Sequence, residues 1–223
     1  MSNTQYQFTK MNHKRYYIMS KFDKLLMNNP LRSWVIEHYA LPKLMSLSGN
    51  THQLSGKSIL ELGCGNGYGL RIILKKFRPE VFHAMDSDPE MVKMSNRKIS
   101  RIVKKYPDTQ TNIYVGDAAA INSCDNHYDV VFGFGVLHHI PVWQSSVQEI
   151  FRVLRPGGIL LLEESFAKFI MHPFWRRVMD HPQENRFDAP ELIACLEHCG
   201  FINIKYQQSG NQFMGWLAAY KPG

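Results

Sequence analysis

The residues that most clearly indicate a ligand-binding site form a glycine-rich stretch that begins at Glu61, directly after a short apolar run. The stretch reads Glu-x-Gly-x-Gly-x-Gly, and glycines in such a turn permit positive φ and close approach of the backbone to a ligand. A dinucleotide-binding loop requires Gly-x-Gly-x-x-Gly, but the last position holds Tyr68 in one frame and Leu70 in the other. The loop also lacks the Gly-Lys-Ser/Thr end of a P-loop. The acid ahead of the glycines would repel a phosphate and suits a ligand that carries positive charge.

The elements that must position this loop alternate between strand and helix. Apolar runs predict strands, and periodic stretches between them predict helices that begin or end at capping residues such as Asp88, Asp188 and Gly200. Such alternation implies an α/β fold, with a seven-stranded, mostly parallel sheet, helices on both faces and an antiparallel last strand. The predicted strands are residues 58–62, 81–85, 112–115, 128–132, 159–162, 201–206 and 213–220, and the main predicted helices are residues 70–77, 91–106, 147–154 and 188–199.

The first 50 residues predict a helical arm ahead of this sheet. Apolar and aromatic side chains recur every three or four residues from Tyr16 to Leu47, and Pro30 interrupts the pattern. We therefore expect a helical cap over residues 1–50 and a main domain over residues 51–223. Within that domain, the connection formed by residues 165–187 is longer than ordinary connections in α/β folds. It carries several aromatic side chains, so we expect a lid-like insertion. The alternative is that the arm and the insertion only bury one another as an auxiliary core.

From about Gly56 to Tyr220, the motifs resemble those of class I S-adenosylmethionine-dependent methyltransferases in order, spacing and context. The resemblance implies a Rossmann-like fold, S-adenosyl-L-methionine as the cofactor, and a methyltransferase domain over residues 51–223. It also implies that the turn of Gly63, Cys64 and Gly65, with Glu61 ahead of it, cradles the methionine half of the cofactor.

Further cofactor-binding residues are implied by the same resemblance. Asp86 ends the second strand 23 residues after Gly63, which is close to the spacing of a ribose-binding acid, and Ser87 follows it. The remaining positions are Met91 on the adenine face, Asp117 and Ala118 near the adenine amino group, and Gly133 in the segment that faces the sulfonium.

The segment after the fourth strand favours a particular kind of acceptor. Residues 133–136 read Gly-Phe-Gly-Val, unlike the Asn/Asp-Pro-Pro-Tyr segment that is typical of enzymes methylating adenine or glutamine amino groups. No Pro-Cys pair occurs, which disfavours a cysteine nucleophile acting on pyrimidines. Residues 136–140 and 155–158 instead resemble the ubiquinone/menaquinone-type C-methyltransferases. We therefore expect a small-molecule acceptor, aromatic or lipid-like.

Catalytic side chains are expected near the sulfonium end of this site. Methyl transfer by in-line displacement requires alignment and exclusion of water, and a base helps only when the acceptor carries a proton of high pKa. Glu163 and Glu164 end an apolar strand, where adjacent acids are poor core residues, and His138 and His139 lie in the preceding loop. We predict Glu164 and His138 as catalytic residues. The alternative for either histidine is packing or capping of a helix.

Composition excludes several other classes. The sequence of 223 residues has no apolar run long enough for a membrane span and no apolar signal core near its start, so we expect a cytoplasmic protein. A formal net charge of +7 is compatible with an anionic partner, but Lys and Arg are dispersed along the chain, which disfavours nucleic acid. Cys195, His198 and Cys199 make an incomplete set for zinc, so we expect no metal.

Two alternative functions remain compatible with the sequence. The net charge is compatible with an RNA or protein methyltransferase, and cofactor binding alone is compatible with a non-catalytic regulator.

Overall fold

A computed structural model describes residues 29–49, 54–178 and 185–223 of the chain. Within these ranges, seven strands form one sheet in the order β3-β2-β1-β4-β5-β7-β6, and β7 runs antiparallel to both of its neighbours. This arrangement confirms the predicted α/β fold with an antiparallel last strand. The strands are β1 (Ser58–Leu62), β2 (Val81–Asp86), β3 (Gln110–Val115), β4 (Tyr128–Phe134), β5 (Leu154–Ser165), β6 (Ile202–Gln208) and β7 (Met214–Tyr220).

Helices lie against both faces of the sheet. The helices are α1 (Pro30–Val35), α2 (Leu41–Ser48), α3 (Tyr68–Phe77), α4 (Pro89–Val103), α5 (Trp143–Val153), α6 (Ala167–Ile170), α7 (Trp175–Val178) and α8 (Ala189–His198). A π-helical segment (Ile36–Ala40) joins α1 to α2, and a 3-10 turn (Leu137–His139) follows β4. Asp188 and Glu191 form a capping box at the start of α8, and Gly200 adopts a φ of 98° after its end, as the sequence predicts.

The strand order places a crevice at the centre of the sheet. The connection from β1 leads to β2 on one side, whereas β4 pairs with β1 on the other side. In open parallel sheets, ligands bind outside the carboxyl ends of the strands at this reversal of order. Every side chain of β1 is buried, so the crevice rests on a rigid, two-sided core.

The elements differ from the sequence-based bounds mainly at β5. The strand predicted over residues 159–162 begins already at Leu154 and includes residues 155–158, because Leu154 pairs with Tyr128 before the register shifts. The N–H of Gly157 donates to the carbonyl groups of Lys221 and Pro222. Both acceptors lie far from Gly157 in the sequence, so local patterns do not predict these bonds. Helix α4 begins at Pro89 and ends at Val103, earlier than predicted at both ends.

The described part of the N-terminal arm joins the main core. Asn29 caps α1 by accepting the N–H of Arg32, and Pro30 occupies the first helical position. Leu41 and Leu44 of α2 are fully buried in one cluster with residues of β1 and α3. The helical pattern predicted over residues 16–28 lies outside the described residues. Helix α2 therefore packs as an integral layer of the fold.

The insertion after β5 contributes both buried and exposed aromatic side chains. Phe166 and Phe187 are buried in the second core cluster, and Phe187 packs on Trp143 of α5. Phe174 is exposed, although its ring meets that of Trp175. No helix among the described residues is long and apolar enough to cross a membrane.

Candidate functional site

A cleft opens at the carboxyl ends of β1 to β4, where the strand order places a ligand site. It encloses about 1050 Å³ including its open mouth. Its walls come from the loops after β1, β2, β3 and β4, and from α1. The lining residues include Arg32, Glu61, Gly63, Cys64, Gly65, Asn66, Tyr68, Asp86, Ser87, Asp117, Ala118, Phe134, Gly135, Val136, His139 and Ile140.

The loop after β1 needs glycine for conformational and steric reasons. Gly63, Gly65 and Gly67 adopt φ values of 63°, 51° and 85°, which L side chains rarely tolerate. A Cβ at Gly63 would also lie 2.6 Å from a methyl group of Val136 across the cleft. The loop is fixed because the N–H of Cys64 bonds to the Met85 carbonyl. The backbone is therefore held open toward a ligand.

Asp86 joins the end of β2 to this glycine loop. Its carboxylate accepts the N–H of Gly65 at 2.9 Å and the N–H of Asp88 at 2.9 Å. These two bonds fix the orientation of the carboxylate at the cleft wall. Asp88 in turn caps α4 by accepting the N–H of Glu90.

Asp117 occupies the corresponding position after β3. Its carboxylate accepts the N–H of Ala119 at 2.9 Å, which forms a tight turn, and the Gly116 N–H bonds to the Asp86 carbonyl. Asp117 and Ala118 thereby form the wall of the cleft farthest from β4.

Glu61 carries a buried carboxylate at the base of the cleft. The residue is 2% exposed, and its Oε2 atom has no hydrogen-bond partner within the described structure. Burial raises the pKa of Glu61 well above its ordinary value, and the nearby charge of Asp86 raises it further. An unpartnered buried acid is costly unless a cationic or hydrogen-bonding ligand satisfies it. The base of the cleft is thus built for a positively charged group.

Glu164 organises the loop after β4. Its Oε1 atom accepts the N–H groups of Val136 and Leu137 at 3.1 and 2.8 Å, and its Oε2 atom lies 2.7 Å from Nδ1 of His138. Both residues are buried, and neither is among the residues that line the cleft. Burial raises the pKa of Glu164 to about 7, against the opposing effect of the backbone N–H groups. This pair therefore shapes the segment that lines the cleft.

Arg32 closes the cleft from the N-terminal side. Its guanidinium bonds to both carboxylate oxygens of Glu163 at 3.2 and 2.5 Å, and also to the Phe134 carbonyl. Such bidentate pairing fixes the planar guanidinium and links α1 to the end of β5. No local sequence pattern indicates Arg32 as a site residue, because its partner Glu163 lies 131 positions away.

Comparison with known proteins supports the resemblance found in the sequence. Residues 60–162 match a family model described as a methyltransferase domain. A probable S-adenosylmethionine-dependent methyltransferase of Mycolicibacterium smegmatis is 31% identical over 150 residues, which are 67% of this chain and 54% of that protein. Residues 60–162 thus form a methyltransferase domain of the class I, S-adenosylmethionine-dependent type. The matched part spans about half the length of several curated relatives of this methyltransferase.

Two further similarities extend over most of the methyltransferase chain. Demethylmenaquinone methyltransferase of Lactococcus lactis is 26% identical over 235 residues, which cover 91% of this chain and 88% of the relative. The crystal structure of a SAM-dependent methyltransferase from Aquifex aeolicus superposes with a TM-score of 0.68 at 19% identity, covering 89% of this chain and 96% of that one. The latter similarity establishes the fold.

Most of the sequence-predicted cofactor residues of this methyltransferase lie together in the cleft. Met91 and Gly133 are not among the residues that line it: Met91 is buried, and a Cβ at Gly133 would lie 2.7 Å from a methyl group of Leu162. Their part in cofactor binding remains a prediction. The predicted residues that do line the cleft are Glu61, Gly63, Cys64, Gly65, Asp86, Ser87, Asp117 and Ala118.

The cysteine and histidine residues considered for zinc remain apart from the cleft. Cys195 and Cys199 lie one turn apart at the end of α8, and Cys124 is exposed in a separate loop. No group of three potential metal ligands occurs among the residues that the structure describes.

Proposed function

We propose that the protein transfers the methyl group of S-adenosylmethionine to a small-molecule, aromatic or lipid-like acceptor. The observation that carries this proposal is the unpartnered, buried carboxylate of Glu61 beneath a glycine loop in the positive-φ region. The amino acid end of the cofactor carries an ammonium group, which would supply the missing charge and hydrogen bonds. A nucleotide phosphate at this position would be repelled.

The residues of the cleft fit the remaining parts of this cofactor. Gly63, Cys64 and Gly65 would hold the methionine half through their backbone, and Asp86 with Ser87 would hold the ribose hydroxyls. Asp117 and Ala118 would hold the adenine ring. When bound, the cofactor supplies a sulfonium methyl group that is already activated for in-line displacement.

The protein's own contribution is to position the acceptor and to exclude water. Phe134, Val136 and Ile140 provide an apolar wall on the β4 side of the cleft, which suits an aromatic or lipid-like acceptor. The similarity to demethylmenaquinone methyltransferase supports an acceptor of this class. Arg32 holds α1 over this side of the cleft through Glu163.

Within this proposal, Glu164 and His138 position the loop after β4. The catalytic role predicted for them remains a prediction, and their contacts support a positioning role instead. Glu164 accepts two well-aligned backbone N–H groups and pairs with His138, so it fixes the shape of residues 135–140. Gly135, Val136 and His139 of that segment reach the cleft.

The proposal is tested by calorimetric titration of the purified protein with S-adenosylhomocysteine and, separately, with NAD. We expect the first ligand to bind and the second not to bind. Glu61→Gln should weaken binding of S-adenosylmethionine about 10- to 100-fold, which is the scale for losing a hydrogen bond to a charged group. Glu149→Gln is the matched control, because Glu149 accepts the Ile121 N–H away from the cleft.

Methyl transfer itself is tested with a methyl-labelled cofactor and a whole-cell extract that is afterwards separated into small molecules, RNA and protein. We expect label in the small-molecule fraction of the wild-type reaction. Label confined to RNA or protein would contradict the acceptor class, and cofactor binding without any transfer would favour a non-catalytic regulator.

A further inference from the structure

A second groove, distinct from the cleft, lies between α1, the start of α3 and the outer side of α4. It encloses about 1300 Å³ including its open mouth and is lined by four cationic side chains. Arg97, Lys98 and Arg101 lie within five residues of one another on α4, and Arg71 comes from α3. The fold therefore adds a fourth positive charge to a basic cluster on α4.

The positive charge of this groove is only partly neutralised. Glu37 is the carboxylate among its lining residues, and it pairs with Arg71 at 3.8 Å and with Lys75 at 3.2 Å. None of the ion pairs within the described residues involves Arg97, Lys98 or Arg101. Lys98 instead lies 4.4 Å from the centre of the Tyr68 ring. The groove is thus complementary to an anionic partner.

Apolar side chains border the same charges. Trp34 lines the groove with 58% of its surface exposed. Leu31 lies three residues earlier on α1, outside the lining of the groove, and is 68% exposed. An exposed aliphatic and indole pair beside basic residues is the combination that binds the interface of a bilayer containing anionic lipids. Nucleic acid would use the cations and the indole but would gain little from Leu31.

We propose that α1 and α4 form a docking surface for an anionic lipid bilayer, with Leu31 and Trp34 entering the headgroup region and Arg97, Lys98 and Arg101 facing lipid phosphates. The groove adjoins the cofactor cleft at Tyr68, which lines both. Docking here brings the cleft to the surface from which a lipid-like acceptor is drawn. The surface itself is independent of the proposed methyl transfer, because it requires neither cofactor nor acceptor.

The test is flotation of the full-length protein with vesicles at physiological ionic strength. We expect binding to vesicles of equal parts phosphatidylglycerol and phosphatidylcholine, little binding to pure phosphatidylcholine, and release in high salt. Each basic residue near such a surface contributes about fivefold to partitioning, so Arg97→Gln combined with Arg101→Gln should reduce binding about 25-fold. The matched control neutralises Arg155 and Lys205, two exposed cations on the opposite half of the sheet.

The apolar part of the surface has its own matched pair. Trp34→Ala should reduce vesicle binding, whereas Tyr206→Ala should not, although Tyr206 is similarly exposed at 47% on the edge strand β6. Thermal melts of all variants establish that they are folded. Equal losses in the paired variants would overturn the proposal. Binding of a labelled single-stranded RNA that depends on Arg97 and Arg101, without vesicle binding, would also overturn it. Cofactor titration remains a separate readout, so failure here leaves the proposed function standing.

Discussion

Replacing Glu164 by Gln tests whether ionisation of this buried carboxyl group lowers the free energy of unfolding. Glu164 is 1% exposed and faces His138 Nδ1, the backbone N–H groups of the β4 loop and the more distant charge of Arg32. Its pKa rises from 4.5 to about 7 on folding, chiefly because of burial. A carboxyl group with a raised pKa contributes stability below its unfolded pKa, and this contribution is lost as the pH rises to its folded pKa.

The magnitude follows from that shift. A rise from 4.5 to about 7 corresponds to about 3 kcal/mol of folding free energy that the wild type loses between about pH 4.5 and pH 7. Gln resembles the protonated acid, so Glu164→Gln should match the wild type near pH 5. Near pH 8 it should be more stable than the wild type by as much as about 3 kcal/mol. The oxygen of Gln retains the bonds to Val136 and Leu137, so the loop stays in place.

The assay is urea unfolding of wild type and variant at intervals from pH 5 to pH 8. Glu149→Gln is the control with the opposite sign, because hydrogen bonding to Arg152 lowers the pKa of Glu149. That variant should be less stable than the wild type by a nearly constant amount from pH 5 to pH 8, because the contribution of Glu149 is lost only as the pH falls below about 4.5. A pH-independent difference between Glu164→Gln and the wild type would refute the reasoning, as would the same trend in both variants.

Three further outcomes test the cleft. Asp86→Ala should weaken S-adenosylhomocysteine binding by about 1–3 kcal/mol in calorimetry, since it also removes the acceptor that fixes Gly65; unchanged affinity in a folded variant would contradict the ribose assignment. Gly65→Val should abolish that binding. Gly157→Val is the control and should bind normally, because Gly157 has comparable backbone strain at a φ of 75° but open space around it. Retained binding in Gly65→Val would mean that the glycine loop serves only as a turn. Glu61→Gln should raise the melting temperature of the ligand-free protein above that of the wild type, and by more at pH 8 than at pH 5, because the raised pKa of Glu61 makes its ionised form costly. The same difference between variant and wild type at both pH values would contradict a costly, unpartnered carboxylate in the free protein.

The sequence by itself determined the order and type of the main elements and most of the cofactor side of the cleft. Residues 58–62 carry the apolar side chains of Ile59, Leu60 and Leu62, and the structure has a strand with the same bounds. Glycine spacing and acids at strand ends are local signals. The glycine signal depends on backbone φ, and the acid signal depends on the fact that parallel strands end at the same edge of the sheet. Both signals can therefore be recognised without knowledge of distant contacts.

The tertiary structure alone decided the residues that close the cleft and the roles of buried acids. Arg32 meets Glu163 across 131 positions, and Glu164 turns toward the β4 loop instead of the cleft. The basic groove likewise joins Trp34 of α1 and Arg71 of α3 to the basic residues of α4, which lie far from them in the sequence. The physical reason is the same in each case: pairing and desolvation depend on distance and burial in space, whereas sequence patterns record only local geometry and average polarity.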